Sequence, residues 1–178
     1  MNIYEVLSDD HKKVKQLLND LVSLENSSFL RRTELVKKIR DEFIPHARAE
    51  EAVFYNTLRL VDESKSIARH GYMEHMEAEG LLRLLQTMDA FNTTWKPTAK
   101  KLKSIVDNHI FEEENETFLR AQELITEDDA VAMANTFSAM KPEIKEEGLM
   151  KTTLDMFANL MPPKFTERFR KFDAIPRE

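Results

Sequence analysis

Two stretches of this 178-residue chain repeat one pattern, a histidine followed four residues later by a pair of glutamates. The stretches are FIPHARAEEAVF, with His46, Glu50 and Glu51, and HIFEEENETF, with His109, Glu113 and Glu114. Side chains four positions apart on a helix lie about 40° from each other, so the imidazole and the first carboxylate project from one strip. Helices of a bundle can direct such a pair at a metal ion in the interior. The repeat therefore predicts two similar helices that face a shared site.

Apolar residues recur at three- and four-residue spacing through most of the chain, which predicts an all-α protein. The expected helices cover about residues 2–24, 29–61, 67–91 and 95–124, with polar loops between them. Pro45 lies inside the second of these, where a kink or a local break is expected. No stretch alternates between apolar and polar residues as a strand does. The expected architecture is an up-and-down four-helix bundle with a C-terminal helical extension.

Residues 1–125 are expected to form the bundle, and residues 126–178 the C-terminal helical extension and tail. The extension begins with an acidic helix start at residues 126–129, and a break is expected at Lys141-Pro142. The tail places three aromatic side chains on one side, namely Phe165, Phe169 and Phe172. This stripe is expected to dock on the bundle; a contact with a partner or in a homodimer is the alternative.

Composition narrows the classes of function. A formal net charge of −6 argues against a nucleic-acid partner, since such proteins normally carry a basic face. The absence of cysteine excludes disulfides, thiolate catalysis and iron–sulfur ligation. No apolar run approaches the ~20 residues that span a membrane, so no membrane partner is expected. The first residues lack the pattern of a signal peptide, and the expected location is the cytoplasm.

One histidine falls in each of the four predicted helices at a regular rhythm. In an antiparallel bundle with short loops, such positions reach similar levels along the axis. The expected site therefore contains four imidazoles and two carboxylates, and its candidate metal ligands are His11, His46, Glu50, His75, His109 and Glu113. Buried carboxylates without partners would be costly, which favours a metal site over a purely structural role. Since residues 1–60 and 65–124 each supply two histidines and a carboxylate, a pseudo-twofold site for two metals is expected.

This combination resembles the hemerythrin family, specifically its bacterial and archaeal HHE cation-binding domains, over roughly residues 3–125. Members of that family hold a non-haem di-iron centre inside a four-helix bundle. The resemblance implies two iron ions bridged by Glu50 and Glu113. It also implies that one iron is held by His11 and His46, and the other by His75 and His109. Nitrogen and carboxylate ligands suit iron, manganese or zinc alike, so the choice of iron rests on the resemblance.

The same resemblance implies a small ligand, either O2, peroxide or nitric oxide, and a role in oxygen or redox sensing, storage or stress defence. The alternative is a di-iron enzyme or iron donor that reduces peroxide or repairs iron centres. The absence of cysteine weakens the repair role, because the repair proteins of the family carry a cysteine-bearing amino-terminal segment. A metal-free structural or signalling bundle would require the His/Glu register to be a coincidence.

The chain departs from the oxygen carriers of the family, which have a fifth histidine four residues from its partner on the third helix. Gly71 and Glu79 occupy the positions four before and four after His75. His70 is five positions away, about 140° out of phase, and an ordinary surface role is expected for it. One iron is therefore expected to have fewer protein ligands, with Glu79 or water completing it. Such an open iron favours peroxide or nitric oxide chemistry.

Four further carboxylates lie near the candidate ligands in the sequence, namely Asp10, Glu51, Glu74 and Glu114. Each is expected either to face solvent or to orient a ligand histidine through a hydrogen bond.

Overall fold

The computed structural model describes the backbone of residues 1–147 and the side chains of residues 1–144. The helices are α1 (Ile3–Ser23), α2 (Phe29–Glu50), α3 (Asn56–Leu58), α4 (Lys65–Thr87), α5 (Trp95–Glu112), α6 (Phe118–Leu124) and α7 (Glu127–Glu147). A π-helical segment, Glu51–Tyr55, joins α2 to α3, and a second one, Glu113–Thr117, joins α5 to α6. A 3-10 turn, Asp62–Ser64, precedes α4. The all-α prediction is confirmed, and the described residues contain no strand.

The bundle has four members, α1, α2 with α3, α4, and α5 with α6. Each packs against two neighbours, in the order α1, α2, α4, α5 and back to α1. Short connections make successive members antiparallel, which confirms the predicted helical bundle. Helix α7 lies outside this ring and packs against α1 and α2. None of the helices in the described part of the chain is long and apolar enough to cross a membrane.

The start of α1 is fixed by a capping box at Asn2 and Glu5. The side-chain oxygen of Asn2 accepts a hydrogen bond from the backbone N–H of Glu5 at 3.2 Å, and the Glu5 carboxylate accepts one from the backbone N–H of Asn2 at 2.9 Å. Two N–H groups that a helix start leaves unpaired are thereby satisfied. This cap sets the level at which α1 enters the bundle, and hence the level of His11.

The break predicted at Lys141-Pro142 is wrong, and the proline at position 45, where a kink or a break was expected, does not end its helix. Helix α2 continues through Pro45, and α7 continues through Pro142 to Glu147. A proline removes one backbone hydrogen bond and crowds the preceding turn, but most of the stability of a helix in a protein comes from tertiary packing. Pro45 is itself buried. The tail stripe at Phe165, Phe169 and Phe172 lies outside the described residues, and the division at residue 125 stays a prediction.

The apolar core consists of two clusters at different levels of the bundle. One cluster is built around Ile3, Leu7, Phe54, Phe118 and Phe137. The other is built around Leu18, Leu35, Phe43, Leu82 and Trp95. Along α1, α2 and α5, the histidines and glutamates of the repeat lie between residues of the two clusters. A polar layer is thus enclosed by apolar side chains on both sides, which removes it from bulk water.

Candidate metal centre

The bundle gathers the six predicted ligands into this polar layer. None of the six side chains is more than 4% exposed, and Glu50 is fully buried. One group of donors comprises His11, His46 and Glu50, and another comprises Glu50, His75 and His109; within each group the donor atoms lie within 4.8 Å of one another. Glu50 belongs to both groups. This is the arrangement that two neighbouring metals with a shared carboxylate require.

Glu50 stands between histidines of both halves of the chain. Its Oε2 atom lies 3.4 Å from Nε2 of His46 and 3.3 Å from Nε2 of His75. Glu113 occupies the corresponding place on the opposite side, since its Oε2 atom lies 3.2 Å from Nε2 of His11 and 3.9 Å from Nε2 of His109. Each glutamate therefore faces one histidine from each predicted pair.

The histidines of each predicted pair lie side by side. The ring centroids of His11 and His46 are 5.0 Å apart, and those of His75 and His109 are 4.6 Å apart. The Nε2 atoms of His75 and His109 approach to 3.1 Å. Each pair thus presents two ring nitrogens to a common point, on either side of the two glutamates.

Each of the four histidines has its second ring nitrogen, Nδ1, against a carboxylate from another helix or segment. The pairs are His11 with Glu114 at 2.9 Å, His46 with Asp10 at 3.4 Å, His75 with Glu51 at 3.1 Å, and His109 with Glu74 at 2.9 Å. A carboxylate at Nδ1 fixes the ring orientation and keeps the proton on that nitrogen, so that Nε2 is free to bind a metal. All four carboxylates expected either to face solvent or to orient a histidine do the latter.

The close approach of these buried donors shifts their pKa values. Burial opposes the imidazolium form of His11, but the close contact with Glu113 and the hydrogen bond to Glu114 outweigh it and raise its pKa to about 10. Burial also opposes protonation of His75, yet Glu50 and Glu51 raise its pKa to about 9.

The pKa values of the other three shifted groups, His109, Glu113 and Glu50, move in different directions. Burial lowers the pKa of His109 to about 4, and the neighbouring His75 acts in the same direction. Burial and the charge of Glu50 raise the pKa of Glu113 to about 8. Burial acts against ionisation of Glu50, but close contacts with Glu113, His46 and His75 hold its pKa well below the ordinary value. The two carboxylates therefore share one proton.

The protein groups alone leave this site incompletely satisfied. Both carboxylate oxygens of Glu50, Oε2 of Glu113 and Nε2 of His11 are fully buried, yet none has a well-directed hydrogen bond. Buried polar atoms of this kind are costly unless something pairs with them. Cations bound between the histidines and the two glutamates would pair with these atoms, so the residues fit a metal centre.

A cleft of about 420 Å³ leads from the surface to the part of the site that contains His109 and Glu113. Its inner wall contains Tyr55, His109 and Glu113, and its rim contains His70 and Glu112. Nε2 of the exposed His70 lies 3.0 Å from Glu112 and 3.5 Å from Glu74. His70 thus stays at the surface, as expected, and is separated from the four-histidine cluster by Glu74. The cleft is large enough to admit a diatomic molecule, a peroxide or a hydrated ion.

Glu79 does not join the cluster. Its carboxylate forms ion pairs with Arg48 and Arg83, and it is absent from the groups of donors that lie close enough to hold a metal. Two guanidinium groups satisfy both of its oxygens. The expectation that Glu79 completes one iron therefore has no support from the geometry.

Sequence reasoning missed three side chains at the site, two of which contact candidate ligands and one of which contacts an orienting carboxylate. The Tyr55 hydroxyl donates a hydrogen bond to Oε1 of Glu113 at 2.9 Å, and burial raises the pKa of this phenol well above its ordinary value. The Phe137 ring of α7 packs on His46 with centroids 5.6 Å apart, and Lys141 pairs with Asp10. The sequence does contain a signal for Tyr55, since an aromatic residue lies five positions after the first glutamate of each motif, Tyr55 in one and Phe118 in the other. Nothing in the sequence points to the two residues of α7.

Comparison with known proteins agrees with this geometry. Residues 2–121 match the family described as Hemerythrin HHE cation binding domain. A DNA nickase of Nostoc sp. is 26% identical over 146 residues, which cover 82% of this chain and 41% of the nickase, so the chain spans about two fifths of that relative's length. An uncharacterized hemerythrin-like protein of Schizosaccharomyces pombe is 24% identical over 141 residues, which cover 78% of this chain and 68% of that protein.

A solved structure shares the fold. The crystal structure of a hemerythrin HHE cation binding domain-containing protein from Mycobacterium kansasii matches with a TM-score of 0.70 at 19% identity. The match covers 90% of this chain and 99% of the other. At this level of identity the likeness shows the fold alone.

Proposed function

The chain belongs to the hemerythrin HHE cation-binding domain family, and we propose that it is a non-haem di-iron protein that binds O2, peroxide or nitric oxide. One observation carries the proposal: four buried imidazoles, each held at Nδ1 by a carboxylate, direct their Nε2 atoms at two buried glutamates whose oxygens lack directed hydrogen bonds. A structural cluster of histidines has no need of unpaired carboxylates between them.

In this proposal Glu50 and Glu113 bridge the two irons, because each lies between histidines of both pairs. One iron is held by His11 and His46, and the other by His75 and His109. Nitrogen and oxygen donors also suit manganese and zinc, so iron is supported by the family and by the implied chemistry with small oxygen- and nitrogen-containing ligands.

The bound iron pair would supply reversible ligation and two-electron redox chemistry. The protein orients its ligand histidines through Asp10, Glu51, Glu74 and Glu114, and it encloses the centre between two apolar clusters that limit access of water. The cleft beside His109 and Glu113 provides a route from solvent for a small ligand. These features suit sensing, storage or stress defence, in which a small molecule must reach a protected metal.

A di-iron enzyme or iron donor, acting in peroxide reduction or in repair of iron centres, is the alternative, because the open cleft suits turnover as well as binding. Nicking of DNA is not part of the proposal: the match covers only 41% of the Nostoc nickase, and the net charge of −6 opposes approach to a polyanion.

The decisive experiment measures metal content and the visible spectrum of the protein, first reduced without oxygen and then exposed to air. Two irons per chain with a ligand-to-metal absorption band that appears and disappears reversibly would support a carrier or sensor. Irons that oxidise once, and consume added peroxide, would favour the enzyme. No metal above background after anaerobic loading with ferrous iron would overturn the proposal.

A matched pair of histidine variants on α4 controls the experiment. His75→Ala removes a buried candidate ligand and should lower the iron content, whereas His70→Ala removes an exposed histidine five residues away and should leave two irons bound. Equal iron content in both variants would contradict the assigned site.

A further inference from the structure

Tyr55 occupies space that helix α4 leaves open at Gly71. A Cβ atom added to Gly71 would lie 2.6 Å from the hydroxyl oxygen and 2.8 Å from Cε2 of Tyr55, closer than real Cβ atoms approach. Gly71 is one turn before His75 and therefore lies on the same face of α4. The phenol thus reaches the centre through the position that a side chain of residue 71 would otherwise take.

The π-helical turn after Glu50 brings Tyr55 to this place. In an α-helix, a residue five positions after Glu50 would point about 140° away from it. The π-helical segment Glu51–Tyr55 pairs each residue with the fifth one along, which brings these positions much closer in angle. Tyr55 consequently lies on the side of the helix that carries Glu50, with its ring 5.8 Å from that of His75.

The second half of the repeat has an equivalent position without a donor. Phe118 follows Glu113 at the same distance and after a second π-helical segment, and its ring stacks against His11 with centroids 6.5 Å apart. The two halves of the site therefore differ in one group, a phenol hydroxyl beside His75 and a phenyl ring beside His11.

We propose that Tyr55 is a seventh protein ligand of the centre and binds, through its phenolate oxygen, the metal held by His75 and His109. This inference rests on the proposed metal centre. The hydroxyl already lies 2.9 Å from Oε1 of Glu113, a candidate bridging ligand, and it is fully buried among the other donors. A metal held by His75 and His109 between the two glutamates would gain in Tyr55 a further oxygen donor from the protein.

Coordination replaces the phenol proton. The O–H bond breaks, the oxygen–metal bond forms, and the proton leaves to solvent along the cleft that Tyr55 itself lines; no electron is transferred. A metal held by His11 and His46 would receive no such ligand, because Phe118 has no donor atom. The expectation that one iron has fewer protein ligands stays a prediction, and in this proposal Tyr55 would supply the missing donor beside His75.

The test loads the full-length protein with ferric iron and records its visible and resonance Raman spectra. A phenolate bound to ferric iron gives a charge-transfer band and enhances tyrosine ring vibrations. We expect both signals in the unmodified protein and their loss in Tyr55→Phe. Two control variants, Tyr72→Phe and Tyr4→Phe, remove other partly or largely buried phenols and should keep both signals.

The outcomes separate this inference from the proposed function. If two irons bind and Tyr55→Phe keeps the spectrum of the unmodified protein, Tyr55 is not a ligand although the iron centre stands. If the unmodified protein binds no iron, both proposals fail.

A rescue experiment adds a readout that does not depend on spectra. Tyr55→Ala should release iron to a chelator at least tenfold faster than the unmodified protein, and Tyr55→Ala combined with Gly71→His should slow this loss by supplying an imidazole from the neighbouring position. Iron retention by Tyr55→Ala equal to that of the unmodified protein would show that the metal needs no donor there.

Discussion

Lys141 of α7 forms an ion pair with the carboxylate of Asp10, the group that lies against Nδ1 of His46. Burial disfavours the charged form of Asp10, but hydrogen bonds from His46 and Lys141 hold the pKa of this carboxyl well below its usual range. A helix outside the four-helix ring therefore adjusts the charge behind one candidate ligand. The Phe137 ring against His46 comes from the same helix.

If iron binds as proposed, replacing Lys141 should change the electronic properties of the iron beside His46. In Lys141→Met, Asp10 keeps its full negative charge for His46, which makes the imidazole a stronger donor and stabilises the ferric state. We expect the reduction potential of the centre to fall by tens of millivolts, as measured by redox titration of the visible spectrum.

Lys13 offers a matched control, since its ammonium lies 3.0 Å from the other oxygen of Asp10 but its side chain is 60% exposed. Solvent screens such a pair, so Lys13→Met should shift the potential much less. An equal shift in both variants would show that the effect is one of overall charge.

The two buried carboxylates Glu50 and Glu79 should respond in opposite ways to substitution by glutamine. Glu50→Gln removes a proposed bridge and should abolish binding of at least one iron. Without metal its free energy of unfolding should change by only about 1 kcal/mol, because the lost contacts with His46 and His75 are offset by relief of repulsion with Glu113. Iron content and urea unfolding of the metal-free proteins measure the two effects.

Glu79→Gln should leave iron binding intact but lower the free energy of unfolding by about 1–3 kcal/mol, because it leaves the Arg48 and Arg83 guanidinium groups without their anionic partner. Loss of iron in Glu79→Gln with retention in Glu50→Gln would contradict the assigned donor set.

Much of the site follows from sequence because its register is a property of regular helices. The positions of His46 and Glu50, and of His109 and Glu113, need only the α-helical period and a bundle to bring them together. The four orienting carboxylates were identified as candidates for the same reason, since each lies beside a ligand or one turn from one.

The remaining part of the site depends on departures from that regularity. Tyr55 projects away from Glu50 in any α-helical projection, and only the π-helical turn brings it round; such turns are set by tertiary packing, which has no local sequence signature. Lys141 was missed because Pro142 predicted a break where α7 continues. In both cases tertiary packing overrides a rule of local structure, the regular α-helical period at Tyr55 and helix breaking by proline at Pro142.

Raising the pH should destabilise the metal-free protein. His11 and His75 have folded pKa values of about 10 and about 9, against an ordinary value of 6.5 for histidine. Glu113 has about 8, against 4.5. All three pKa values are raised by folding, so the folded state binds more protons than the unfolded state. The stability that these protons contribute is complete below the unfolded pKa values. It is lost as the pH rises through the folded pKa values. Thermal unfolding at pH 7 to 10 should show a falling melting temperature.

Iron should reverse this dependence. Because the metal displaces the protons of the cluster, its affinity rises with pH, and the stabilisation that it gives the folded state grows with that affinity. The difference in melting temperature between the iron-loaded and metal-free proteins should therefore widen from pH 7 to 9. A parallel fall of both curves would count against displacement of these protons by metal.

The two glycines of α4 should respond with opposite signs to substitution by alanine. In Gly80→Ala the new methyl group meets nothing within 4 Å, so the variant should gain about 0.5–1 kcal/mol from helix propensity alone. In Gly71→Ala the methyl group collides with the Tyr55 ring, which is held between the helices and by its hydrogen bond to Glu113. We expect a loss of about 1–3 kcal/mol, measured by urea unfolding without metal.

Since the collision requires the ring, Tyr55→Ala should remove the penalty, and Gly71→Ala made in that background should be neutral or stabilising. A stabilising Gly71→Ala in the unmodified protein would mean that Tyr55 does not fill this position.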